Sequence, residues 1–565
     1  MRPLLTLLIC LTLSACAHKP VQLPAHAIAS AHPAATEAGL SILNQGGNAF
    51  DAAVAVSAAL AVVEPYGSGV GGGGFWLLHR ASDAKQIMLD GREVAPSKAH
   101  RDMYLDANGE PVKSLSVDGA LSAGIPGLPA ALVHLSKHYG RLSLADSLQP
   151  AITLAKQGFV VNKHYHRLAS FRRPALSAHE STKAIFLDNG DVPSIGTNII
   201  QADLANTLEL LAKKGFDGFY KGDIAEKLVK GVQQAGGIWT EQDLANYRIK
   251  ERPPVVISYK DMKVTSAALP SSGGLVLSIA LNILEQYDLS SMDEATKIHL
   301  IVEAMRLAYK DRALYMGDSD FVDVPVGTLS KKSYAQTVAV NINVDKATAS
   351  QQLSGLNEIE GHDTTHFSIM DKEGNRVAAT LSINYPFGSG FVPAGTGVLL
   401  NDEMDDFSIK LGTPNVYGLV GGVANAIVPG KRMLSSMSPT FFETKDKVGI
   451  LGTPGGSRII SMVLLGVLDA ENSEEPESWV NSPRYHHQYL PDQIQYEPNT
   501  FSKQLISQLT KKGHVLKSVG RRYGNMHAIL WDKNNNSLKA ASDLRGSGSA
   551  IVEVVQQDRV NKRKR

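Results

Sequence analysis

Apolar positions along this chain follow two spacings, and the places where one gives way to the other outline its elements. Residues 48–63 (NAFDAAVAVSAALAVV) predict an apolar helix whose many alanines favour close packing against a sheet. Residues 67–74 then lead directly into a strand predicted over 75–79. Helical spacing returns over 144–157, 202–213, 223–234 and 294–314, and between the last two a Pro-Ser-Ser-Gly-Gly turn at 270–274 opens another apolar helix. The character changes at 357–363 (NEIEGHD), a polar, acidic stretch without apolar periodicity that predicts an exposed loop. Beyond it the signal becomes β: residues 364–371 alternate and are joined by a hairpin-type turn at 372–375 to a second strand over 376–383. Thr364 therefore stands where the acidic loop enters a strand. There is no repeat, long low-complexity tract or obvious linker, so the chain reads as one α/β body.

Length agrees with that reading, since 565 residues at 43% hydrophobic can bury a large core. Charged residues make up 20% of the chain and nearly cancel, leaving a formal net charge of +1 and no field suited to nucleic acid. The basic tail at 559–565 reads as a solvated end. At the other end, Arg2 precedes an apolar run over 4–13 that fits a signal-peptide core and is too short to span a bilayer, which takes about twenty residues. The run ends in Leu13-Ser14-Ala15-Cys16, which resembles the lipobox of bacterial lipoproteins; the alternative is an ordinary cleaved signal peptide that happens to carry Cys16. The expected destination is the periplasm, with a lipid anchor at Cys16 in the outer membrane, because Ala17 is not the aspartate that retains some lipoproteins at the inner membrane. Cys10 lies inside the removed core, so the mature chain has no cysteine to spare for a disulfide, a thiol nucleophile or a thiolate metal site.

Several motifs look chemical and are better read otherwise. Residues 67–72 spell GxGxxG, but a dinucleotide loop follows a strand and opens a helix, whereas this one follows a helix and enters a strand. A close-packed turn is the better reading. His486 and His487 are adjacent on an extended segment and point to opposite faces, which is poor geometry for a shared metal. No HExxH and no GxSxG occurs, so no metal or cofactor is expected and a serine elbow is missing. Thr364-Thr365 remains. A mid-chain threonine is a feeble nucleophile, and a Thr-Thr pair starting a strand is more often structural. Cleavage before Thr364 would change this by placing an α-amine of pKa about 7.7 to 8.0 on the residue that carries the hydroxyl.

TTHFS, the D-x-x-G-N turn, LLNDEMDDF, PNVYGLVGG, LSSMSPT and GTPGGSRII occur in this order, preceded by GGNAFDAAVA, GGGGF, DGREVAPSKA and PSSGG. Together they resemble the gamma-glutamyltranspeptidase family over essentially the whole mature chain. The resemblance implies a four-layer αββα sandwich of the N-terminal-nucleophile hydrolase type, made as a precursor. Thr364 would attack the carbonyl of Asp363 and divide the chain, after removal of residues 1–16, into a large subunit of 17–363 and a small catalytic one of 364–565 that stay together. The same hydroxyl would then take the γ-glutamyl group of glutathione or a related compound and pass it to water or to the amine of an amino acid or dipeptide.

Carried over residue by residue, Gly455 and Gly456 match the oxyanion donors and Ser382 a hydroxyl supporting the nucleophile, where many relatives have threonine. Arg92 matches the reader of the substrate α-carboxylate, with Ser435 and Ser436 adding hydroxyls. Asn384, Glu403 and Asp406 match the acceptors of its α-ammonium; several bacterial members have glutamine at the Glu403 position and animal ones glutamate. Tyr417 falls in a segment resembling the lid loop of some bacterial members. Two other readings compete. A cephalosporin acylase of the same fold would take a glutaryl group, leaving Asn384, Glu403 and Asp406 without an ammonium, and a non-catalytic envelope protein could retain the fold alone.

Overall fold

Two antiparallel sheets lie back to back in the computed structural model, which describes residues 22–350 and 364–555. Their strands are β1 (Ala25–Ser30), β2 (Gly73–Arg80), β3 (Lys85–Gly91), β4 (Lys250–Arg252), β5 (Val255–Tyr259), β6 (Met262–Ser266), β7 (Thr365–Met370), β8 (Arg376–Ser382), β9 (Thr440–Glu443), β10 (Lys447–Gly452), β11 (His527–Asp532), β12 (Ser537–Ser542) and β13 (Ser549–Val554). The first sheet runs β13-β1-β7-β8-β2-β3-β4 and the second β12-β11-β10-β9-β6-β5.

Period-2 alternation sends successive side chains into different layers. Val377, Ala379 and Leu381 of β8 face the helices that cover the first sheet, while Ala378 faces the second sheet. Phe367 and Ile369 of β7 likewise face the helices and Met370 the opposite sheet. The layer between the sheets is completed by Ala27, Ala29, Leu77, Phe441, Val448, Ile450 and Ile529. Helices α1 (Pro33–Asn44), α2 (Ala49–Val63), α3 (Leu144–Gln157) and α4 (Ala202–Lys214) contribute to the core over the first sheet. Helices α5 (Gly273–Leu284), α6 (Glu294–Tyr315) and α7 (Ile459–Asn472) contribute to the core over the second. The result is the αββα sandwich that the resemblance implies.

The expected elements fall where the spacing puts them. Helix α2 is buried at all fifteen positions, and its alanines let it lie close to α1, α3 and the sheet. It starts at a capping box in which Asn48 accepts from the Phe50 and Asp51 N–H groups, while Asp51 accepts from the Asn48 N–H. The β7–β8 turn joins in, since Asp371 accepts from Glu373 and Asn375 within the turn and from the Ala49 N–H at the helix start. Strands β7 and β8, both after residue 364, lie between β1 and β2, both before residue 350. A cut between the two parts of the chain would leave them hydrogen-bonded in one sheet.

The GxGxxG loop is a packing device. A Cβ on Gly71 would lie 2.1 Å from the Leu399 carbonyl oxygen, one on Gly72 2.2 Å from that of Ser382, and one on Gly74 2.6 Å from that of Thr380. Backbone approaches backbone here, and no side chain fits. The N-terminal apolar run with Cys16, the acidic loop with Asp363 and the basic tail all lie outside the described residues. Among the described residues, no helix is long and apolar enough to cross a membrane. Gly72→Ala should destabilise the protein by about 3 kcal/mol, the upper end of ordinary overpacking costs, because a carbonyl of β8 rather than a flexible side chain must move. Urea unfolding midpoints of the two proteins check this.

Candidate active site

Thr364 immediately precedes β7, in the middle of the first sheet, and is 8% exposed. Next to it, the Thr365 hydroxyl donates to the Glu64 carboxylate at 2.7 Å, and Tyr66 donates to the other oxygen at 3.0 Å. Glu64 follows the apolar helix α2; burial pushes its carboxyl up to about 7 against the pull of these two hydroxyls. The Gly67 backbone is packed on the Thr364 carbonyl, to which an added Cβ would come within 3.3 Å. The nucleophile candidate is thus fixed by a sheet on one side and by the end of α2 on the other.

From this point a small cavity of about 290 Å³ extends inward. Arg92, Ser382, Asn384, Glu403 and Asp406 line it with Thr364, and so do Tyr417, Ser435, Ser436 and Gly456. Gly455 lines a second cavity that also reaches Thr364. Residues from separate segments between 92 and 456 therefore converge on one hydroxyl. Asp363 lies outside the described residues.

The heart of the inner cavity is a buried ion network. Arg92, just past the end of β3, is 1% exposed and pairs with Glu403 through one guanidinium nitrogen and with Asp406 at 2.5 Å through another. Glu93 is 3.6 Å from the same group. The sequence comparison gives Arg92 to a substrate carboxylate and Glu403 and Asp406 to an ammonium; here these residues neutralise one another, as buried charges must in the absence of other partners. Burial raises the Glu403 carboxyl to about 7, with Arg92 opposing and Asp406 reinforcing the shift. Burial also raises Asp406, again against Arg92. One oxygen of Glu403 has no hydrogen-bond partner among the described residues.

Around this network each loop is held by a specific contact. Asn384 adopts φ +73°, a left-handed conformation that asparagine tolerates better than most residues. Its N–H donates to the Ser382 hydroxyl at 2.8 Å and its side-chain amide to the Asp402 carbonyl at 3.0 Å. The Pro-Ser-Ser-Gly-Gly turn clamps the two serines: Ser272 donates through its N–H and its hydroxyl to the Ser435 carbonyl, and Ser271 donates to the Met437 carbonyl at 2.6 Å. Arg312 of α6 donates to the Ser436 hydroxyl at 3.3 Å and to Ser272 at 2.9 Å. The loop with Tyr417 is latched by the acidic cluster, because Asp405 accepts from the Val416 N–H and Asp406 from the Asn415 amide. The Tyr417 hydroxyl then donates to the Asn384 carbonyl at 2.6 Å, covering the cavity.

Gly455 and Gly456 adopt φ +140° and +55°, which glycine takes without strain. A Cβ on Gly456 would lie 2.4 Å from the Tyr417 ring. Among the described residues neither of their N–H groups has an acceptor, which suits a pair of donors for a developing oxyanion beside Thr364. The adjacent histidines are engaged separately, His486 with Ser461 and Gln488, His487 with Asp492. Metal-ligand types do gather elsewhere, at His299, Glu303 and His514. There His299 Nε2–H donates to the Asn343 carbonyl, which makes Nδ1 the acceptor for His514 at 2.7 Å, a hydrogen-bonded bridge between the two parts of the chain.

The sequence reading missed Glu64, Tyr66, Asp405 and Arg312. For Glu64 the one hint was an acid following a largely apolar helix, which does not point to its partner Thr365. For Arg312, a charge in the last turn of a long helix, there was none.

A profile of the family described as Gamma-glutamyltranspeptidase matches residues 35–553. The glutathione hydrolase proenzyme of Escherichia coli (strain K12) is 43% identical over 533 residues, covering 93% of this chain and 91% of that protein. Among solved structures, cephalosporin acylase from Bacillus halodurans is similar with a TM-score of 0.84 at 27% identity, covering 94% of this chain and 96% of that one. A chain of Helicobacter pylori gamma-glutamyltranspeptidase is similar with a TM-score of 0.56 at 41% identity, covering 58% of this chain and 94% of that one.

Removing the guanidinium would leave several buried carboxylates facing one another. Arg92→Met should therefore cost about 3 to 5 kcal/mol of folding stability, the usual penalty for breaking a buried pair from one side. Thermal unfolding beside the native protein measures it.

Proposed function

Since the chain belongs to the gamma-glutamyltranspeptidase family and is an enzyme of it, we propose that Thr364, freed as an N-terminus, carries the γ-glutamyl group of glutathione and related compounds to water or to an amine. In the precursor the Thr364 hydroxyl attacks the carbonyl of Asp363, the acyl chain moves from nitrogen to oxygen, and water releases the two subunits. The new α-amine accepts the hydroxyl proton when Thr364 attacks the γ-amide of the donor. The N–H groups of Gly455 and Gly456 take the tetrahedral oxyanion, each contributing roughly 3 kcal/mol to the transition state. A γ-glutamyl ester on Thr364 remains after the amine leaves, and water or a second amine resolves it.

One observation carries this reading: the convergence of Thr364 with a buried guanidinium, two carboxylates and the hydroxyls of Ser435 and Ser436 in one small cavity. A γ-glutamyl group presents a carboxylate and an ammonium on one carbon. Its carboxylate fits the Arg92 fork and the Ser435 and Ser436 hydroxyls, displacing the internal carboxylates. Its ammonium then satisfies Glu403 and Asp406, including the Glu403 oxygen that lacks a partner. A glutaryl group has no ammonium and would leave these acids buried without compensation. That argues against the acylase reading, which the likeness to the Bacillus halodurans enzyme raises. Tyr417 closes the cavity and shields the ester from bulk water. We further propose export, with lipidation of Cys16, supported by the apolar run and the lipobox-like end.

Three outcomes test this. Thr364→Ala should stay a single uncleaved chain on a denaturing gel and be inactive, whereas the native protein gives two fragments, the smaller beginning Thr-Thr-His by Edman degradation. γ-Glutamyl anilides should be preferred over glutaryl anilides on the order of 100-fold in kcat/KM, the worth of one or two charge-assisted hydrogen bonds. Glu403→Gln should lower kcat/KM for the γ-glutamyl donor about tenfold at pH 8. Its deficit should shrink at pH 6, because the native carboxyl, raised to about 7, is already largely protonated there.

A further inference from the structure

Outside both cavities that reach Thr364, two histidines and a glutamate meet in the interior. His299 and Glu303 stand four residues apart on α6, so one turn of helix sets them on the same face. His514 comes from the other part of the chain, just past a helix over Lys503–Lys511. All three are buried, at 0%, 0% and 4% exposure, and one ligand atom of each lies within 4.8 Å of the others. No local motif reveals the group, because its two histidines are 215 residues apart.

The donors are held as metal ligands are. His299 gives its Nε2–H to the Asn343 carbonyl at 2.8 Å, which fixes the tautomer and turns the Nδ1 lone pair towards the cluster, as outer partners do for ligating imidazoles. One oxygen of Glu303 accepts from Arg306 Nε at 3.1 Å and from the Thr348 N–H at 3.3 Å. Its other oxygen is buried and has no hydrogen-bond partner among the described residues, a costly state for a carboxylate that a cation would relieve. The surrounding charge has the right sign. Three carboxylates, Glu303, Asp492 and Asp345, face two cations: Arg306 pairs with the first two, and Lys512 lies 3.8 Å from the third.

We propose that His299 Nδ1, His514 Nε2 and a carboxylate oxygen of Glu303 bind one divalent transition ion of the zinc class, which clips the part of the chain before residue 350 to the part after residue 364. Two imidazoles and a carboxylate suit zinc, with water as the fourth ligand. The edge of a tetrahedral zinc site is about 3.3 Å, so the two rings, 2.7 Å apart as a hydrogen-bonded pair, part by about 0.6 Å on binding. The His514 Nε2 proton then moves through solvent to Nδ1 of the same ring. Both imidazoles stay neutral, and the ion takes the two lone pairs. The clip falls where residues 344–350 already lie on the other part: the Ala347 N–H donates to the Lys512 carbonyl at 2.7 Å, Lys512 Nζ to the Val344 carbonyl at 2.9 Å, and the Ser350 N–H to Asp492 at 2.7 Å. The site is independent of the role assigned to Thr364.

The test uses the untagged full-length protein, stripped with a chelator and titrated with zinc chloride by calorimetry. One zinc per chain should bind, and saturating zinc should raise the unfolding temperature by about 3 °C. Glu303→Gln keeps an acceptor for Arg306 and removes the charged ligand, so it should weaken zinc binding by roughly 100-fold or more, since even outer partners are worth 10- to 100-fold. His514→Gln should do the same. His134→Ala/His138→Ala removes a surface histidine pair whose rings are 4.4 Å apart, and should leave both binding and the shift unchanged. Cobalt in place of zinc should give the visible bands of a four-coordinate ion in the native protein, a signature that depends on no variant's folding. A native protein that takes up neither metal, a Glu303→Gln protein that binds zinc as the native one does, or loss of binding with the surface pair overturns the proposal.

Discussion

A guanidinium buried among carboxylates sets the terms for the rest of the site. Arg92 cannot leave its place without leaving Glu403, Asp406 and Glu93 uncompensated, and those acids cannot move without stranding Arg92. Each member is tied to a different stretch of chain. Arg92 follows β3 in the first sheet, Glu403 and Asp406 belong to the loop after β8, and Asp406 also holds Asn415 of the loop that covers the cavity. One electrostatic requirement thereby fixes the position of the floor, the wall and the cover. It also matches the zwitterion proposed above, whose carboxylate and ammonium can replace the internal pairs charge for charge.

The candidate nucleophile is positioned by a different kind of force. Thr364 borrows rigidity from β7, which has hydrogen-bonded neighbours on both sides and apolar layers on both faces. The close approach of the glycine-rich loop to Ser382 and Leu399 brings the backbone of the part before residue 350 against β8 without side chains between. Packing sets where the hydroxyl is, and buried charge sets what it meets. The two meet at the Gly455–Gly456 turn, whose left-handed conformations let it pass beneath Tyr417 and face Thr364.

Much of the architecture was legible from spacing. The helices over 144–157 and 223–234 have the predicted bounds, and the hairpin over 364–383 has its turn where Asp371 and Asn375 put it. The GxGxxG stretch was legible as a turn because its neighbours come in the wrong order for a phosphate loop. Glu64 was not, since its role depends on Thr365, some three hundred residues away, lying beside the end of α2. Arg312 was hidden for the same reason: what turns a helix-end charge into a support for Ser436 is the fold around it.

By itself, then, the order of residues determined the elements, because periodicity and local turn chemistry act over a few residues at a time, and its ordered motifs carried the resemblance to the family that implied the layers. Tertiary structure alone decided that Arg92, Glu403 and Asp406 neutralise one another. It also decided that Thr364 opens onto two cavities. Electrostatic energy depends on distance in space and on burial, and neither is written in the separation of residues along a chain.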